Sequence, residues 1–139
     1  MTAPPDSLQT VQLSANADYL APDGSEIRLL PTMNGGGLCH CTLPGGCTST
    51  PVVHHKVEEI WFVISGSGEL WRKRGMEEST VPLAAGTSLT IPPQTAFQFR
   101  NAGHEPLCIL ICTMPPWPGP EEAVPTDGPW PVHIQQTIG

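Results

Sequence analysis

The residues best suited to chemistry stand together in "VVHHKVEEIWFVISGSG", Val52 to Gly68, where His54 and His55 are followed closely by Glu58 and Glu59. Imidazole and carboxylate hold divalent transition metals, and the same two groups pass protons near neutral pH. Either chemistry needs at least two of the four side chains on one side of the backbone. The run that follows, Ile60 to Ile64, is apolar and bounded by glycines, so the segment reads as a strand. Neighbouring side chains on a strand face opposite ways, so only one member of each adjacent pair can serve a common site.

A second cluster lies in "LCHCTLPGGC", with Cys39, His40, Cys41 and Cys47. Zinc would use thiolates and a histidine, but C-x-C followed by one further cysteine lacks the C-x2-C pairing of structural zinc sites. The simpler reading is a strand on which Cys39 and Cys41 alternate with His40 and act as small buried hydrophobes. Cys108 and Cys112 in "PLCILICTM" read the same way. Five cysteines, an odd number without a framework spacing, suit a reducing compartment.

These groups must be positioned by strands. Seventeen prolines and 14 glycines in 139 residues leave almost no room for an ordinary helix. Strands are expected in "EIRLLPTM", "GLCHCTL", "EIWFVISG", "GELWRKR", "TSLTIP", "AFQFRN" and "PLCILICTM", at the short spacing of a sandwich or barrel. "RKRGMEES" reads as a hairpin turn with solvated charges. The closing stretch "PPWPGPEEAVPTDGPWPVHIQQTIG" is too rich in proline for a strand or helix core. Its Trp117 and Trp130 are costly to leave in water, so it is expected as an ordered tail over the barrel or over a partner subunit. The length suits one domain. A net charge of −7 argues against nucleic acid and anionic membranes as partners. "MTAPPDSLQT" has no leader pattern, and no apolar run approaches the ~20 residues of a membrane span, so a cytoplasmic protein is expected.

Two spacings then converge on a family. The pattern G-x5-H-x-H-x4-E-x6-G is met by Gly46, Val52, His54, Glu59 and Gly66, with valine at the first histidine. The pattern G-x5-P-x-G-x2-H-x3-N is met by Gly86, Pro92 and Asn101, with Gln94 at the glycine and Phe97 at the histidine. On these motifs the chain resembles the cupin family. The resemblance implies an all-β fold, a double-stranded β-helix (the cupin or jelly-roll barrel). It implies one cupin domain over residues 1–139, with a motif core at 46–101, N-terminal strands within 1–45 and the proline-rich tail at 114–139.

Carried over residue by residue, the resemblance places His54 and Glu59 inside the barrel, where metal-binding cupins hold Fe, Mn, Ni or Zn. Val52 and Phe97 stand at the other two ligand positions and cannot coordinate, so a rebuilt metal site would need His40 or His55 as third ligand. Counting by twos from this register, Val52, Trp61, Val63, Phe97 and Phe99 line an apolar cup that contacts the substrate, with Trp61 near its mouth. Gln98 and Arg100 point away, as supporting or surface residues, and His55 and Glu58 lie outside. Paired, His54 and Glu59 form an acid/base unit, the carboxylate favouring a protonated imidazole while burial opposes charge. The expectation is a small-molecule-binding cupin acting as an isomerase, lyase or cyclase, with no cofactor favoured. The alternatives are a metal-dependent cupin enzyme and a non-catalytic binding module. A homodimer is also expected, with "PPWPGP" and "GPWPV" as rigid arms.

Overall fold

The computed structural model describes residues 4–134, which form two antiparallel sheets packed face to face, the double-stranded β-helix expected from the motifs. In chain order the strands are β1 (Tyr19–Leu20), β2 (Glu26–Thr32), β3 (Gly37–Leu43), β4 (Val52–His54), β5 (Glu58–Ser65), β6 (Ser67–Arg74), β7 (Glu77–Ala84), β8 (Ser88–Ile91), β9 (Ala96–Arg100), β10 (Leu107–Met114) and β11 (Ala123–Pro125). One sheet runs β1-β2-β3-β10-β5-β8 and the other β11-β4-β9-β6-β7. The barrel is threaded by long-range pairings: β10 joins β3 to β5, and β9 joins β4 to β6. No helix among the described residues is long and apolar enough to cross a membrane.

Alternation fills the interior. On β5 the side chains of Glu59, Trp61 and Val63 are buried while Glu58, Ile60 and Phe62 are exposed. Leu107, Ile109 and Ile111 of β10 do the same beside Leu43 and Cys41 of β3. All seven expected strands are present, and four more join them. One of these, β7, carries Pro82, whose missing N–H is tolerated because β7 lies at the end of its sheet and pairs with β6 alone. The turn of "RKRGMEES" is confined to Gly75 and Met76, and its acidic half already belongs to β7.

The tail lies over its own barrel, one of the two expected placements, but contains a short strand that its prolines did not suggest. Pro120–Glu122 form a 3-10 turn and Ala123–Pro125 pair with β4 as an edge strand, where prolines are admissible. The Glu122 carboxylate accepts the backbone N–H groups of Lys56 at 2.6 Å and Val57 at 2.7 Å. Gln98, fully buried, holds the next stretch by donating to the carbonyls of Ser49 and Trp130 and accepting from the Trp130 N–H. Arg100 lies 4.1 Å from the Trp130 ring centre and pairs with Glu69 at 2.7 Å. Gln98 and Arg100 thus point away from the interior and fasten the tail to its own barrel. The final five residues of "IQQTIG" lie outside the described residues.

The motif glycines have a conformational cause. Gly46, Gly66 and Gly86 take φ of 79°, 85° and 92°, the left-handed region where a side chain costs about 1–2 kcal/mol. Gly66 is the strictest, because a Cβ there would collide with the backbone carbonyl of Pro106. Gly66→Ala is expected to lower stability by at least ~2 kcal/mol, and an unchanged urea midpoint would show that the β5–β6 turn can reshape freely. Gln94, where the second motif has glycine, keeps the left-handed backbone at φ 63°. It offsets the strain with a 2.7 Å bond from its side-chain amide to the His55 carbonyl, and its own N–H binds the His54 carbonyl. The motif asparagine, Asn101, is buried and clasps the Leu43 and Glu105 carbonyls, closing one end of the barrel.

Candidate functional site

β4 is held between β9 and β11, and its alternation turns Val52 and His54 inward and Val53 outward. On β9, Phe97 faces Val52 directly across the ladder. The two positions at which the motifs would place histidines are therefore an apolar cross-strand pair. β5 brings Glu59 and Trp61 to the same interior, and the Trp61 indole N–H donates to Glu59 Oε1 at 2.8 Å. Glu59 Oε2 lies 3.9 Å from His54 Nδ1, which has no hydrogen-bond partner. Both residues are almost fully buried, His54 at 4% exposure and Glu59 at 6%.

They border a cavity of about 710 Å³ whose wall includes Val52, Trp61, Phe97, Trp117, Asp23 and Cys39. Aromatic edges pack around the imidazole, with Phe97 at 5.2 Å and Trp117 at 5.1 Å between ring centres. Trp61 stands edge-on to Phe97 and Phe99 at 5.8 and 5.0 Å. Val52, Trp61 and Phe97 thus reach the cavity. Trp61, expected near the mouth, is 1% exposed and lines the cavity wall. Val63 and Phe99 face inward but lie in the packed core beyond the cavity, so the cup is shallower than alternation alone implies.

The electrostatics of the pair differ from those of an ion pair. Burial pushes the His54 imidazole down to about 4, with nearby Glu122 opposing. Burial pushes Glu59 up to about 7, aided by Asp23 and opposed by the Trp61 bond. The expected preference for a protonated imidazole is thereby overturned: near neutrality His54 is uncharged and Glu59 carries the titrating proton. Desolvation outweighs mutual attraction because 3.9 Å is beyond hydrogen-bond contact and the surrounding wall is aromatic and aliphatic.

A family-type metal does not fit these residues. His55 and Glu58 are exposed, and His40 faces outward between the inward Cys39 and Cys41, so neither histidine can join His54 and Glu59. Cys39 reaches the cavity, where burial pushes its thiol up to about 12. Among the described residues no three His, Cys, Asp or Glu side chains form a group able to hold a metal ion. The cysteine cluster likewise yields no zinc site: all five cysteines are free, with Cys41 and Cys47 in the core.

Three contributors escaped the sequence reading. Asp23, from the β1–β2 turn, accepts the Ser25 N–H and hydroxyl and borders the cavity. Cys39 was visible only as one of two alternatives of strand parity. Trp117 closes on His54 from the tail, and its one signal was an aromatic ring in a proline-rich stretch.

Comparison with known proteins agrees with this architecture. Residues 39–113 match a family model described as a cupin domain. An uncharacterized protein of Methanocaldococcus jannaschii is 31% identical over 104 residues, covering 71% of this chain and 80% of that protein. Auxin-binding protein 1 of Arabidopsis thaliana is 29% identical over 106 residues, covering 59% of this chain and 54% of that protein. Among solved structures, a predicted oxalate decarboxylase of Thermotoga maritima superposes with a TM-score of 0.64 at 18% identity, over 76% of this chain and 98% of that one. Similarity at that identity speaks to the fold.

Proposed function

The chain belongs to the cupin family, and from that premise we propose a small-molecule-binding cupin that performs acid/base chemistry with His54 and Glu59. One observation carries the reading: two buried ionisable groups with opposite shifts face one apolar cavity, an arrangement that costs stability and suits proton transfer at neutral pH. The free Nδ1 of neutral His54 takes a proton from a bound substrate, and protonated Glu59 gives one to another position on it. Trp61 orients the Glu59 carboxyl, while Val52, Phe97 and Trp117 exclude water. The proton then returns from His54 to Glu59, restoring both groups. Isomerisation, elimination and cyclisation all fit this cycle, which consumes no oxidant.

The test uses small carbonyl compounds with acidic C–H bonds, with and without amino groups, incubated in D2O. Wild-type protein is expected to wash deuterium into at least one of them, and His54→Ala to lose that exchange. Ligands that bind without exchange would favour the second reading, a non-catalytic binding module, which the likeness to an auxin-binding protein supports.

We also propose a homodimer, on different grounds from the tail arms, since Trp117 and Trp130 pack on their own barrel. Ile60, Phe62 and Ile64 form an outward strip on β5, each 44–48% exposed, in a chain of net charge −7. A second copy laid antiparallel on this strip buries it and sets each Glu58 beside the other copy's Ser65 end, away from its counterpart. Light scattering at micromolar concentration is expected to give a dimer mass, reduced to monomer by Phe62→Glu. A wild-type monomer would refute it.

A further inference from the structure

The acid/base reading leaves the substrate's charge open, and the cavity wall decides it. Among the described residues, two carboxyl groups, Asp23 and Glu59, border the cavity, and no lysine or arginine does. Arg28, on β2 between the cavity-lining Ile27 and Leu29, is engaged elsewhere and bonds the Ser14 and Ala15 carbonyls at 2.9 and 2.8 Å. An anionic ligand would enter an apolar space beside two acidic groups with no counter-charge, which is costly to desolvate. An uncompensated carboxylate in such a wall is itself costly, and an incoming cation relieves it.

A second feature points to the same ligand. His54 Nδ1 is buried, borders the cavity and has no partner, and Glu59 Oε2 stands 3.9 Å from it. When Nδ1 carries no hydrogen and Glu59 has released its proton, two acceptors face each other across a gap too long for a direct bond. One nitrogen at about 2.9 Å from each would satisfy both, provided it carries at least two hydrogens. An ammonium does so and offers no acceptor of its own.

We propose that the cavity takes a compact, mainly apolar amine, its ammonium lodged between His54 Nδ1 and Glu59 with Asp23 as the second acidic neighbour, and that it rejects carboxylates and phosphates. The proposal rests on the acid/base reading of the same pair and adds the chemical class of the substrate.

The test compares ligands that share a ring and differ in charge. Tryptamine, indole-3-acetamide and indole-3-acetate are titrated by calorimetry, alongside cyclohexylmethylamine and cyclohexanecarboxylate, all with a chelator present. Tryptamine is expected to bind at least tenfold more tightly than the amide, with no detectable binding of either carboxylate. Glu59→Gln is expected to abolish the preference for tryptamine over the amide. Equal affinity for tryptamine and the amide would overturn charge recognition and leave the acid/base reading standing. Carboxylate binding equal to or tighter than amine binding would overturn it, as would failure of both amines to bind. Loss of deuterium exchange in wild-type protein, with the amine preference intact, would instead reject the acid/base reading alone.

Discussion

Glu59→Gln is expected to make the protein more stable at pH 8, by about 3 kcal/mol, while abolishing deuterium exchange into any substrate. The folded-state value of Glu59 is raised from 4.5 to about 7 because its carboxyl is buried. A raised acid favours folding fully below its unfolded value and loses that contribution as pH climbs through the folded value. Between pH 4.5 and 7 the native state must therefore either keep a proton that the unfolded chain has released or bury a charge. At about 1.4 kcal/mol per pK unit this penalty approaches ~3 kcal/mol above pH 7 and shrinks below about 1 kcal/mol near pH 5. Glutamine removes the penalty and keeps a side-chain oxygen to accept the Trp61 indole N–H. Urea unfolding at pH 5 and pH 8 checks the claim. A variant equally or less stable at pH 8, or one with the same gain at both values, would show that Glu59 is not held neutral by burial. His54 runs in the opposite sense: its value is lowered to about 4, so its contribution is present above 6.5 and lost as pH falls through 4.

The double substitution Val52→His with Phe97→His is expected to convert a cavity that does not fit metal into one that does, raising divalent-metal affinity by a factor of at least ~100. The reason is geometric. Val52 and Phe97 are cross-strand partners, Val52 is two residues from His54 on the same face of β4, and Glu59 lies 3.9 Å from His54. Four donors would then replace two. Without metal the variant should be less stable by roughly 3 kcal/mol, since Phe97 packs against Trp61 and His54 and its loss opens space in the wall. Added zinc should recover part of that loss. Metal content after dialysis against a chelator, with the thermal midpoint measured with and without zinc, checks both halves. A variant no better than wild type at retaining metal would show that something other than the two apolar side chains keeps metal out.

Particular residues show how much was legible beforehand. The register implied by the cupin motifs, with strand alternation counted from it, placed Val52, His54, Glu59, Trp61 and Phe97 on one interior, and the structure brings them there. Alternation also set His55 and Glu58 outside. Phe99 and Val63 were misread as cavity wall, since parity tells which way a side chain points and says nothing of how deep the packed floor reaches. Pro82 hid β7 and the prolines around Ala123–Pro125 hid β11, because an edge strand tolerates what a central one does not.

By itself the sequence determined the fold, through the spacing of its two cupin motifs, and from that register the side faced by the residues of β4, β5 and β9, because side chains alternate with period two and the motif glycines stand where the backbone turns left-handed at φ of 79° to 92°. Tertiary structure alone decided the rest. It brought Asp23 from an N-terminal turn and Trp117 from the tail onto the same cavity as His54, contacts between residues far apart in the chain. It also pushed His54 down and Glu59 up, since desolvation sums over every wall that excludes water, and no stretch of sequence contains that sum.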